Sequence, residues 1–254
     1  MDPLAEVRPW ESPYLYCGNN PINRVDPTGM IWEDMSEEED EYGNKRYKAK
    51  IRGVVYNNSS SKINMADFLM AVTQQLDEAF NFSGDGFSVV VNTDFRVANS
   101  VDDISKTDHV IQIVDQGNLG KNTIADTNIG GLNIRVGSDY TGEIISGGNN
   151  RSIAHEMGHT GGLLDVNLNN HMGVTDKISN LMSQSGYIER YGKDRSSSRQ
   201  LTHDQIRNIW HLGNHGKLNK YSPVRNQLTG FLILPGSSFR PVYISPIFQK
   251  VLRK

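Results

Sequence analysis

Cysteine is nearly absent from this chain. Cys17 is the only one, so no disulfide can close within it, and a lone cysteine reads as a small apolar residue before a nucleophile. Long apolar runs are missing as well: none approaches the ~20 residues of a membrane helix. The opening MDPLAEVRPW lacks the basic-then-apolar order of a signal peptide, so this segment would not itself direct export. Charge of one sign is not in excess. The net charge of −3 over 254 residues gives no electrostatic footprint for a nucleic-acid partner. Apolar residues at 37% and charged residues at 22% fit a globular chain and exclude a disordered one. There is no internal repeat and no G-x-S-x-G.

Proline is absent from Thr28 to Ser222, with five of the nine prolines before that stretch and four after it. The proline-free middle therefore reads as the compact domain. Residues 1–30 are a turn-rich arm (NNP, DPTG). Residues 31–46 read as an acidic linker, because EDMSEEEDE at 33–41 holds seven acids. Residues 47–216 form the expected domain, and 217–254 an extension in which QLTGFLILPGSSFRPVYISPIF is a candidate β-hairpin turning at PGSS.

Within the domain, YKAKIRGVVYNN, FSVVVNTDFRV, DHVIQIVDQ and LNIRVGSDYT read as strands. MADFLMAVTQQLDEAF places Met65, Leu69, Val72, Leu76 and Phe80 at helical spacing, a core-facing stripe. LTHDQIRNIWHL reads as a last helix. The order supports a mixed α and β domain.

The chemistry is concentrated in HEMGHTGGLLD, residues 155–165. Asn149 to Ser152 supply capping residues before apolar Ile153 and Ala154, so the histidines sit on a helix. Residues four apart share a helix face, so His155 and His159 can present two imidazoles to one zinc ion at about 2.0–2.1 Å. Glu156 is offset by one residue, placed to act on a water as general base without ligating the metal. Gly161 and Gly162 stand where the helix must stop, and a turn there would bring Asp165 back towards the metal. His171 is a rival third ligand. His109, His203, His211 and His215 read as core or surface histidines, and Asp102, Asp103, Asp126 and Asp139 as scattered surface acids.

Two resemblances follow from these residues. DPLAE, SPYLYCGNNPIN and VDPTGM, within residues 2–30, resemble the closing segment of the RHS repeat-associated core. In that family a β-rich shell ends in this segment and a variable C-terminal domain, often a toxin, follows. The pattern His155, Glu156, His159, Gly162, Asp165 resembles the metzincin clan of zinc endopeptidases, in the variant with Asp as third ligand found in snapalysin-type peptidases. Met182, in NLMSQ, stands where that clan has its Met-turn. The clan likeness spans about Tyr47 to Gly216. Where some members carry a tyrosine two residues after the methionine, this chain has Gln184, and Tyr187 lies further on.

The resemblances imply an α+β, zincin-like fold: a twisted, mixed and mostly parallel sheet, an active-site helix along a cleft, and a small irregular C-terminal subdomain. They imply one catalytic Zn2+ and a peptide or protein substrate. They also imply delivery to a target cell within a larger RHS protein, with an RHS shell and an immunity protein as partners. Against the enzyme stands a non-enzyme alternative, an inactive zincin fold that binds a surface or the shell. Glu156 separates the two, since a structural zinc site is closed by four ligands and needs no base.

Overall fold

Alternating apolar residues along KRYKAKIRGVVYNN build the longest strand, and the sheet is assembled around it. The computed structural model describes residues 32–84, 86–105, 107–166, 179–184, 199 and 201–218, and the backbone of 224–226 and 231–233. The strands are β1 (Trp32–Glu39), β2 (Lys45–Asn58), β3 (Phe82–Gly84), β4 (Phe87–Ala98), β5 (His109–Val114), β6 (Ala125–Thr127), β7 (Asn133–Gly137), β8 (Val224–Asn226) and β9 (Phe231–Ile233). The helices are α1 (Met65–Phe80), α2 (Thr141–Ile145), α3 (Ser152–Thr160) and α4 (His203–Asn214). None of the described helices is long and apolar enough to cross a membrane.

The sheet runs β3-β4-β2-β5-β7-β6, with β1 beside β2. The central pairings β4–β2, β2–β5 and β5–β7 are parallel, while β1, β3 and β6 add antiparallel strands. Fourteen residues let β2 serve two neighbours on one side: its first half pairs with β1 and its second with β5. Side chains alternate across a strand. Tyr47, Ala49, Ile51 and Val55 accordingly enter the main core with residues of α1, α3 and α4, whereas Val54 joins a smaller cluster with Ala98, Ile104 and Val110. The mixed α and β architecture and the α1 stripe agree with the sequence reading. Leu76, Val72 and Phe80 are fully buried, and Asn64 caps the helix through Ala66 and Asp67 N–H.

The acidic stretch is not a linker. Residues 32–39 form β1, with Trp32 fully buried. Its acids lie opposite the basic residues of β2: Lys45 bridges Glu37 at 2.9 Å and Glu39 at 2.5 Å, Lys48 meets Glu38 at 2.6 Å, and Arg52 meets Glu33 at 2.5 Å. Such exposed pairs contribute little each. They do cancel the self-repulsion that made the run look solvated, and charged side chains suit a strand that, among the described strands, pairs on one side only. Asp34, at φ 51°, takes up the irregularity in register between Glu33 and Ser36. The folded domain therefore includes Trp32, fifteen positions ahead of the expected Tyr47.

Trp32 anchors this strand. It meets Phe80 and Trp210 edge-on at 5.5 and 6.2 Å, and its indole N–H donates to Thr160 Oγ1 at 3.4 Å, at the end of α3. Trp210 in turn donates to Ser36 O at 2.9 Å. In the C-terminal stretch β8 and β9 pair antiparallel; the expected turn at PGSS lies outside the described residues.

Trp32→Ala should lower stability by about 3–5 kcal/mol, read as a fall in urea midpoint at constant slope. A change below about 1 kcal/mol would mean that β1 docks without its tryptophan. A pH dependence follows from His109, which is fully buried at the start of β5. Burial, opposed in part by the Leu132 carbonyl and the Asp108 carboxylate, pushes its pKa down to about 3. The unfolded chain, with an ordinary histidine near ~6.5, takes up the proton first as pH falls. Stability is therefore fully present above pH ~6.5 and declines towards the folded value. In His109→Leu the wild-type slope, at most ~1.4 kcal/mol per pH unit from this group, should flatten between pH 6 and 4 in denaturation curves.

Candidate metal centre

The site begins with how α3 starts and stops. Its first N–H groups are met by Asn149 Oδ1, which accepts from Ser152 N at 3.2 Å, and by Gln75 Oε1 of α1, which accepts from Ile153 N at 3.1 Å. Asn149 is thus the capping residue among the four expected, while Arg151 occupies the cap position without a side-chain cap. At the other end, Leu163 N–H donates to Gly158 O at 3.1 Å and Gly162 N–H to His159 O at 2.9 Å. That pair of bonds is a Schellman ending, and Gly162 holds the left-handed position at φ 83°. A side chain there would also strike Leu212.

The turn delivers two groups to the histidines. Leu163 O accepts a hydrogen bond from His159 Nδ1 at 2.8 Å, and Asp165 follows two residues later. On the far side Leu181 O accepts from His155 Nδ1 at 2.8 Å. A carbonyl can only accept, so in the neutral imidazoles Nδ1 carries the proton and Nε2 the lone pair; Arg151 Nη2, 3.3 Å from His155 Nδ1, then faces an N–H and donates to Leu181 O instead. Those two Nε2 atoms lie 3.3 Å and 3.6 Å from Asp165 Oδ1. The ligating atoms of His155, His159 and Asp165 all lie within 4.8 Å of one another.

This arrangement fits a metal ion. Asp165 Oδ1 is buried without a hydrogen-bond donor. Three electron-pair donors converge in a partly desolvated place, which is unfavourable unless a cation lies among them. Bonds of about 2.0–2.1 Å in a tetrahedral zinc site would set such atoms roughly 3.3–3.4 Å apart, close to the two separations seen.

Electrostatics around the site are mixed. Burial pushes Glu156 up to about 7, with His155 opposing and Asp126 and Asp165 adding to the rise. Burial also raises Asp165, but the neighbouring His155 and His159 and the Gln184 amide outweigh it and hold the carboxyl below its usual range. Burial and then His155 lower His159. Asp126, read as a surface acid, is part-exposed on β6, paired to Arg135, and close enough to Glu156 to add to the rise in its pKa.

Met182 lies beneath α3, fully buried, with its sulfur where a Cβ on Gly158 would have to be. Its turn is pinned from several sides. Asn180 Oδ1 accepts from Met182 N at 2.9 Å, and Asn180 exchanges side-chain bonds with Gln205 at 2.9 and 3.1 Å. Val166 N donates to Met182 O at 3.1 Å. Buried Arg151 donates to Leu181 O and, at 2.6 Å, to Ser183 O. The structure thus brings His155, Glu156, His159, Gly162, Asp165 and Met182 together. His171 and Tyr187 lie outside the described residues. Arg151 and Gln184 touch the candidate group, through Leu181 O and Asp165 Oδ2, and motif reasoning gave them no place there. Arg151 had a signal, a long cation four residues before His155, but no spacing rule gives its partners.

Compared with family models, curated proteins and solved structures, the chain matches none. The likeness carried by HEMGHTGGLLD therefore rests on its residues and their geometry.

Gly158→Ala tests the packing beneath the helix. Helix propensity favours alanine by about 0.8–1.0 kcal/mol, and overpacking against Met182 costs about 1–3 kcal/mol. Denaturation should show net destabilisation, relieved in part when Met182→Ala is combined with it. Strict additivity of the two changes would mean that they do not meet.

Proposed function

We propose that this domain is a zinc-dependent endopeptidase of metzincin type. The observation that carries the reading is the convergence of His155 Nε2, His159 Nε2 and Asp165 Oδ1, with the buried carboxyl of Glu156 beside them and outside the ligand set. Among the described residues three protein ligands converge, a number that would leave a coordination position open, as catalytic sites do and structural sites do not.

His155, His159 and Asp165 would hold the ion, which when bound supplies Lewis acidity towards a peptide carbonyl and a water. Leu163 O and Leu181 O keep both imidazoles in the tautomer that offers Nε2. Glu156 takes the proton from the attacking water on a carboxylate oxygen and passes it to the leaving amide nitrogen. Burial of Glu156 and of the α3 backbone around it keeps bulk water from competing for that proton. Met182 supports the ligands from below and touches no reacting atom.

The likeness of residues 2–30 to the end of an RHS core supports a place for the domain as the C-terminal effector of a larger delivered protein. On that reading its substrates are proteins of the receiving cell. An immunity protein protects the producer, and the RHS shell is the carrier.

The test is metal content measured beside peptide-library cleavage. Metal-replete wild type should carry about one zinc per chain, by analogy with single-ion sites of this ligand number. Glu156→Ala should retain the metal and lose about 10²–10⁴-fold in cleavage rate. No zinc in metal-replete protein, or cleavage unchanged in Glu156→Ala, would overturn the reading.

A further inference from the structure

We propose that Gln184 is the positioning residue of this site: its side-chain amide holds Asp165 Oδ2, so that the aspartate offers Oδ1 alone as the third ligand. The inference rests on the metal-centre reading above and extends it to how a carboxylate is made to serve there.

A carboxylate has two equivalent oxygens and accepts from several directions. Left to itself it can rotate, or present both oxygens to one cation. Either change alters coordination, and two-oxygen binding fills the position that a water and substrate need. In this chain the two oxygens are made unequal. Oδ2 accepts from Gln184 Nε2 at 2.9 Å. Oδ1 is buried without a donor and lies 3.3 Å and 3.6 Å from the two Nε2 atoms.

The amide can do this because its backbone is fixed relative to Asp165. Gln184 closes the turn that begins at Asn180, and Val166, the residue after Asp165, donates to Met182 O within that turn at 3.1 Å. Arg151 grips the carbonyls of Leu181 and Ser183 on either side of Met182. The turn that orients His155 through Leu181 O therefore also carries the group that orients Asp165. The chemical type matters. An amide nitrogen donates to a carboxylate, whereas a glutamate of the same length would only accept and would repel it.

Gln184 is exposed, so its replacement should leave the fold intact. The experiment measures zinc affinity by chelator competition and the visible spectrum of the cobalt(II)-substituted protein. Both are recorded for wild type, Gln184→Ala and Gln184→Glu, with thermal unfolding of the metal-free proteins as the control. Gln184→Ala should bind zinc about 10–100-fold more weakly, with Gln184→Glu weaker still. The cobalt bands of Gln184→Ala should lose intensity as Asp165 engages with both oxygens and coordination number rises, while the melting temperature of the metal-free protein stays as in wild type. Wild-type zinc affinity and an unchanged cobalt spectrum in Gln184→Ala would overturn this proposal alone. A wild-type protein that takes up neither cobalt nor zinc would overturn the metal centre, and this proposal with it.

Discussion

The stop at the end of α3 is the constraint on which the site depends. Two imidazoles four residues apart are easily set on one helix face, but a third ligand from the same helix would be carried away along the axis. The left-handed Gly162, with its two closing hydrogen bonds, reverses the chain within one residue. That reversal places Leu163 O on His159 and brings the short side chain of Asp165 to within 3.6 Å of both Nε2 atoms. Any residue with a Cβ at position 162 would meet both the backbone cost of a positive φ and the Leu212 side chain.

The helix itself is held from three directions. Gln75 of α1 caps its start, Trp32 of β1 and Ile209 of α4 pack around its end, and Met182 fills the space that Gly158 leaves open beneath it. Two of these supports come from far along the chain: Gln75 lies 78 positions from Ile153 and Trp32 lies 128 positions from Thr160. His155 and His159 thus sit on an element whose position is set by the main core, while Asp165 and the groups that aim the imidazoles lie on turns. This is the division expected where a rigid scaffold carries a site built by its connecting segments.

The turn at 180–184 shows how few residues can do several jobs. Leu181 contributes a carbonyl to His155, Met182 a sulfur beneath the helix, Ser183 a carbonyl to Arg151, and Gln184 an amide to Asp165. A backbone carbonyl orients a histidine whatever side chain its residue bears, so neither Leu181 nor Leu163 advertises its role in the sequence. The amide of Gln184, two residues past Met182, turns towards the aspartate.

Much of the fold could be read from local pattern. The α1 stripe, strands β2, β4, β5 and β7 and the last helix with its Thr202–Gln205 capping box follow from periodicity and caps, which are set by neighbours in sequence. So do the histidine pair and its stop at Gly162. The three-residue strands β3 and β6 were illegible, because three residues carry no period. Strand β1 was misread because acid-rich composition signals solvation until opposing lysines and an arginine are known to lie across the ladder. The sequence by itself determined which side chains could bind a metal and at what spacing along the chain. Only the tertiary structure decided that Asp165 reaches them, that Arg151 and Gln184 fix its surroundings, and that Trp32 belongs to the domain. Those are contacts between segments far apart in the chain, and their free energy depends on burial and on register across the sheet.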